Sequence, residues 1–246
     1  MLAVRAMSGG LTPIPPDVAA LLGAVAVPTL SAVLSARGLR SRFLHGVVPA
    51  GEACRCVGPA LTIRAIPVRE DLRDAIARGE APNLHRRFLG DAPAGSVIVC
   101  ATGGAAHVSV LGDIIATALH RNGVAGFVCD TGVSDLPAVS RLPLPVFHRG
   151  GSAPVPSGAA VMIVDQGLPV GIADVAVFHD DVMVGDASGV LCIPRAMLRD
   201  VAEAAAEKER MEGWILDRIA AGDPLDGTYP PDAETRARYE AWVRAR

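Results

Sequence analysis

The sequence predicts an α/β fold, a parallel or mixed sheet covered by helices. Half of the 246 residues are hydrophobic but only 4% are aromatic. The core must therefore be assembled from Ala, Val, Leu and Ile, which suits a sheet buried under helices. Short apolar segments bounded by turn residues, such as 96–101 and 126–129, alternate with helical ones. Glycines and aspartates fall between them, where strands must end in turns.

Taken in order, residues 1–16 read as a flexible lead-in. Residues 18–36 carry no charge and could be mistaken for a membrane span, but Pro28 interrupts them. Asp17 and Thr29 are suited to cap two separate helices, 18–27 and 30–37, the second ending at Gly38. There is no basic segment with a cleavage site, so a cytoplasmic protein with no membrane partner is expected. Residues 56–67 alternate as a strand, 70–78 form a short helix, 91–95 a turn and 96–101 a buried strand. Gly103 and Gly104 open a flexible loop. A helix over 113–122 closes at Gly123, and strands follow at 126–129 and 144–148. Residues 158–194 read as a meander of short strands, with Ala187, Ser188 and Gly189 as a tight turn. A long polar helix over 196–221 suggests an exposed or intersubunit arm, and the tail ends in a short helix bearing Tyr239 and Trp242. The expected organisation is one α/β catalytic-type domain over 17–195 with a C-terminal helical arm over 196–246.

Several function classes are excluded or weakened. The net charge of −3 provides no basic footprint for nucleic acid. The five cysteines contain no CxxC pair, and one residue between Cys54 and Cys56 is too short for zinc. They read as reduced, buried thiols. There is no GxSxG, HExxH or P-loop. Asp174, Asp180, Asp181 and Asp186 match no calcium loop and read as turn residues.

The chemistry concentrates between Gly103 and Asp135. Gly112 and Asp113 open a helix whose first N–H groups, including those of Ile114 and Ile115, have no intrahelical partners. Together with the helix dipole they can bind a small carboxylate. Asp135 follows a buried strand, at the end where ligands gather in α/β sheets, and could bind Mg²⁺ with several retained waters.

Twenty residues separate Asp113 from Ser134-Asp135. With the intervening G-D-I-I-A-T-A-L-H-R-N-G-V-A-G-F-V-C-D-T-G-V, this resembles the class II pyruvate aldolases that act on 4-hydroxy-4-methyl-2-oxoglutarate and 4-carboxy-4-hydroxy-2-oxoadipate. That family also includes the regulator of ribonuclease activity A. V-P-T-L-S-A-V-L, C-V-G-P-A-L-T-I, L-P-V-F-H-R-G and D-V-M-V-G-D-A-S-G-V-L-C-I-P resemble further family segments in the same order. The resemblance implies an α-β-β-α sandwich, a homotrimer or homohexamer, and active sites between subunits. It implies Mg²⁺ (or Mn²⁺) on Asp135, with Asp113 holding a water and moving protons. The N–H groups of Ile114 and Ile115 would bind the carboxylate of a 2-oxo acid substrate. A glutamate from the neighbouring C-terminal helix, matching Glu209 or Glu212, would complete the shell. The implied activity is cleavage of a 4-hydroxy-2-oxo acid to pyruvate, or decarboxylation of oxaloacetate.

The sequence departs from the family at one chemically important position. Ser134 replaces an arginine that contacts substrate and stabilises the developing enolate. Other departures are Ala32 and Ala138 where acids are frequent, and His179-Asp180-Asp181 in place of Pro-Gly-Asp. Loss of a transition-state charge costs about 10²- to 10³-fold in rate. His107 and Arg149 are candidates to supply a cation, with Arg121 a weaker one. Two alternatives to an aldolase follow: a non-catalytic regulator binding a protein such as an RNA-degradation enzyme, or an enzyme using this site on another carbonyl substrate.

Overall fold

The computed structural model describes residues 10–52, 54–154 and 160–245. Most of the expected lead-in and the first residues of the expected meander lie outside these.

The architecture is organised by one long strand, β2 (Cys56–Pro67). Its first residues pair antiparallel with β9 (Val182–Asp186), its middle pairs parallel with β3 (Val97–Ala101), and its end pairs antiparallel with β6 (Val161–Gln166). The main sheet then runs β1 (Val48–Pro49), β5 (Val146–His148), β4 (Gly126–Cys129), β3, β2, β9 and β10 (Gly189–Ile193). A separate hairpin is formed by β7 (Val170–Ile172) and β8 (Val175–Val177).

Side-chain alternation with period two sorts these strands into layers. Val97 and Val99 of β3 face an inner core with Val128, Phe147, Met183 and Val190. Their neighbours Ile98 and Cys100 face outward, with Ala116 and Leu119 of α5 (Asp113–Arg121) and Phe88 of α4 (Leu84–Gly90). On the other layer, Val182, Val184, Leu191 and Ile193 pack under α1 (Pro16–Ala24), α2 (Val27–Ala36) and the first half of α7 (Leu198–Ala220). The order is helix, sheet, sheet, helix, an α-β-β-α arrangement. β2 belongs to both layers: Val57 packs on the α1–α2 side and Leu61 and Ile63 on the α5 side.

The two N-terminal helices form, but not with the expected caps. Pro15 and Ala26 occupy the N-cap positions and neither makes a side-chain cap bond. Pro16 and Pro28 instead preset the first turns. The 108° bend between the helices is held from the sheet. Arg55 Nη2 donates to the carbonyls of Leu22 and Val25 at the end of α1, and Asp186 Oδ2 accepts from Val27 N at 2.8 Å. Each charge meets the helix end of opposite polarity. Among the described residues no single helix is long and apolar enough to cross a membrane.

Other differences also have physical causes. The expected meander forms only as two hairpins, β7–β8 and β9–β10, the second with its turn at Ala187 and Ser188, while β6 pairs with β2, whose length accommodates a third partner beside β3 and β9. The helix expected at 70–78 is α3 (Glu70–Ala77). α4 was not expected, because seven residues are too few for a periodic signal. A single turn, α6 (Leu136–Val139), follows Asp135. The long helix α7 extends about 34 Å at 1.5 Å per residue. Its second half carries Trp214 and Ile215, which pack with Tyr239 and Trp242 of α8 (Ala233–Arg244).

All five cysteines are free and buried. Burial pushes the Cys56 and Cys129 thiols up to about 12, so they are protonated and unreactive. At pH 8, Ellman's reagent is expected to label no thiol in minutes on native protein and five after unfolding. Rapid labelling of native protein would show that the cysteine-bearing strands open locally.

Candidate active site

The site is created by the parallel pairing of β3 with β4, in register from Val97↔Gly126 to Cys100↔Cys129. Their C-terminal ends lie side by side, and the segments that follow remain stitched together. Gly132 N donates to Val108 O at 3.1 Å and Ser134 N to Leu111 O at 2.9 Å. Thr131 Oγ1 donates to Val108 O at 2.7 Å. Asp130, buried at the end of β4, accepts from Thr102 N (2.7 Å), Thr102 Oγ1 (2.8 Å) and Gly104 N (2.8 Å). These bonds satisfy a buried carboxylate and fold the glycine loop back against the strand end.

Both segments converge on the start of α5. Gly112 is its N-cap in an extended conformation. A Cβ added there would lie 2.7 Å from Ser134 Oγ and 2.9 Å from Asp135 Oδ2. The close approach of these two side chains therefore requires glycine. Asp113 Oδ1 accepts from Ile114 N at 2.7 Å, and Ala116 N makes a helical bond back to Gly112 O at 2.9 Å. Asp135 is left-handed, with φ 53° and ψ 32°. This conformation is unfavourable for most side chains and tolerated by Asp.

These residues line an open cleft of about 540 Å³. It brings together Gly112, Asp113, Ile114, Ile115, Ser134 and Asp135, six of the residues singled out in the sequence. Ile114 is 82% exposed there, an unusual place for a large apolar side chain. The N–H of Ile114 is already engaged by Asp113, so among the two expected carboxylate donors Ile115 is the one without a side-chain acceptor among the described residues. Ser134 Oγ is 3.4 Å from Leu111 O, a weak bond.

The other expected residues lie elsewhere. His107 is exposed on the loop and outside the cleft lining. Arg149 also lies outside it, its Nη2 donating to His45 O at 3.4 Å. Arg121 reaches toward Asn122 Oδ1 at 3.5 Å. Glu209 and Glu212 line a separate groove of about 470 Å³ on the C-terminal arm. Glu209 accepts from Ala26 N at 3.4 Å, and Glu212 from Thr29 Oγ1 at 3.5 Å and Lys208 Nζ at 2.6 Å.

The cleft also contains a wall that the sequence reading missed: Asn83, His85 and Arg86 at the start of α4. The readable signal was the cap, since Asn83 Oδ1 accepts from Arg86 N at 3.2 Å. His85 Nε2 lies 2.8 Å from Val110 O. A carbonyl only accepts, so Nε2 carries the proton and Nδ1 a lone pair. Burial pushes the His85 pKa below its usual value, so the ring is neutral at pH 7. Among the described residues no three His, Cys, Asp or Glu side chains are grouped to hold a metal ion. The cleft itself offers two carboxylates.

The RraA-like family model, described as Aldolase/RraA, matches residues 27–192, well over half of the chain. This chain belongs to the RraA-like family. The RraA-like chain is 29% identical over 179 residues to a provisionally named 4-hydroxy-4-methyl-2-oxoglutarate aldolase of Halalkalibacterium halodurans, covering 71% of this chain and 79% of that protein. It is 28% identical over 198 residues to protein DlpA of Legionella pneumophila. That match covers 80% of this chain but only 31% of DlpA, so the chain spans about a third of that relative's length. Among solved structures, it resembles RraAS2 of Streptomyces coelicolor, described as an unusual member of the RNase ES inhibitor RraA protein family. The TM-score is 0.74 at 25% identity, over 83% of this chain and 98% of the other. The mixed α/β fold is that of the RraA-like family.

Gly112→Ala tests the convergence directly. The clashing atoms are side-chain ends, so the variant is expected to fold while displacing Ser134 and Asp135. Its amide spectrum should change around residues 112 and 134–135, with Tm lowered by about 2–4 °C per kcal/mol of strain. An unchanged spectrum there would show that the two side chains do not lie against Gly112.

Proposed function

We propose that this RraA-like protein is a divalent-metal-dependent carbon–carbon lyase acting on 2-oxo acids, cleaving a 4-hydroxy-2-oxo acid to pyruvate or decarboxylating oxaloacetate. The convergence of Asp113, Ser134 and Asp135 on the start of α5 carries this reading. It gathers hard oxygen donors beside a helix N-terminus, which are the requirements of a 2-oxo acid held next to a cation.

The donor set fits Mg²⁺ or Mn²⁺, which accept few protein carboxylates and keep several waters. Asp135 would hold the ion, with Asp113 as the second carboxylate. When bound, such an ion supplies Lewis acidity toward the 2-oxo group. Glu209 and Glu212 engage their own α1–α2 segment, so either would reach this site only from a neighbouring subunit of a homotrimer or homohexamer.

The chain's own groups divide the remaining work. The Ile115 N–H and the positive end of α5 bind the substrate carboxylate. Asp113 is placed to move a proton. In the retro-aldol direction the C4 hydroxyl loses a proton and becomes a carbonyl as the C3–C4 bond breaks. Its electron pair passes to C3, which is then protonated to give pyruvate. Ser134 can donate one hydrogen bond to the developing enolate oxygen but brings no charge. Ser109, Val110 and Leu111, which follow the glycine loop, line one side of the cleft.

A second reading has a specific observation behind it. Ser134 leaves the enolate position uncharged, and RraAS2 is named among RNase inhibitors. A regulator that binds a protein partner has no need of a cation there.

Purified protein with Mg²⁺ is expected to release pyruvate from 4-hydroxy-2-oxo acids or oxaloacetate, in a coupled lactate dehydrogenase assay. Asp135→Asn should reduce the rate to the metal-only background while preserving the fold, since Asn also tolerates a left-handed backbone. No release above that background by wild type, across both substrate types, would exclude the lyase.

A further inference from the structure

We propose that Arg86 sets the substrate range of the cleft by binding a carboxylate at the end of the ligand remote from its 2-oxo group. This rests on the lyase reading of the same cleft.

The cleft is lined by two chemically different groups. α5 and the segment after β4 contribute Asp113, Ser134 and Asp135, and the start of α4 contributes Asn83, His85 and Arg86. Among the described residues lining the cleft, Arg86 is the only arginine or lysine. His85 adds no charge, because its ring is neutral and its Nε2 proton is committed to Val110 O.

Nearby arginines are paired: Arg73 with Asp74 at 2.9 Å and Arg87 with Asp91 at 3.9 Å. Among the described residues no carboxylate pairs with Arg86. Its backbone, by contrast, is fixed by the Asn83 cap, so the guanidinium springs from a defined turn. An unpaired guanidinium on the wall of a cleft is placed to take a carboxylate in a bidentate grip.

Size supports the same conclusion. A cleft of about 540 Å³ is within the range used by much larger ligands than a three-carbon acid. Asn83, His85 and Arg86 also form a wall of an adjoining cavity of about 490 Å³. Ser134 brings no positive charge, which leaves Arg86 as the one arginine or lysine among the described residues lining the cleft.

The test compares 2-oxoglutarate with 2-oxopentanoate, which replaces the distal carboxylate by a methyl group. Calorimetric titration with Mg²⁺ on the full chain should show about 10- to 100-fold tighter binding of 2-oxoglutarate. Arg86→Met should erase that preference while leaving 2-oxopentanoate within about twofold, and Arg86→Lys should restore part of it. Arg86 is exposed, so these changes spare the fold. Absence of a preference in wild type, or equal loss for both acids in Arg86→Met, would overturn the role of Arg86. Discrimination without any carbon–carbon cleavage would leave Arg86 standing and remove the lyase reading. Cleavage without discrimination would do the reverse, and no binding of either acid would remove both.

Discussion

The parallel pairing of β3 with β4 is the constraint on which the site depends. It sets the ends of two strands side by side, and the backbone then keeps the following segments together through Val108 and Leu111. Asp113 and Asp135 are 22 positions apart in sequence, yet each is delivered to the start of α5 by main-chain geometry. Side chains refine the arrangement rather than create it. Asp130 pins the glycine loop, and Gly112 leaves the gap into which Ser134 and Asp135 fit. The left-handed backbone of Asp135 is a local cost of about 1–2 kcal/mol for a general residue, accepted where the carboxylate must face the cleft.

Behind the site, the double-layered core keeps these strand ends rigid. β2 is shared by both layers, and its neighbours send alternate side chains into the inner and outer cores. Arg55 and Asp186 extend the same stiffness outward by fixing the bend between α1 and α2 with charges at helix ends. The C-terminal arm joins this scaffold through Glu212, which accepts from Thr29 Oγ1, and through the first half of α7. Its second half makes its own aromatic cluster around Trp214 and leaves Leu216 69% exposed.

Much of this was legible in the sequence, for a physical reason. Buried strands and glycine-closed helices leave local marks, so the strands around 97–101 and 126–129 and the helix from Asp113 could be read directly. The spacing from Asp113 to Asp135 then located the cleft. What was not legible depends on long-range choices. Nothing local distinguishes a strand that pairs with its neighbour from one like β6, which pairs with β2. The caps of α1 and α2 come from Arg55 and Asp186, far away in sequence. Arg86 was missed because α4 is too short to show a period, and its cation matters only once α4 stands beside α5. Conversely, His107 and Arg149 were attractive by proximity in sequence, but neither side chain lines the cleft.

In the proposed function, Asp113 and Asp135 at the start of α5 form a cation and 2-oxo acid site. A crystal structure with Mn²⁺ and oxalate, read by anomalous scattering at the manganese edge, tests it most directly. A manganese peak is expected on Asp135, with one oxalate carboxylate at the N-terminus of α5 near Ile115. A saturated crystal with no peak at Asp135, or with manganese and oxalate bound together elsewhere, would contradict it.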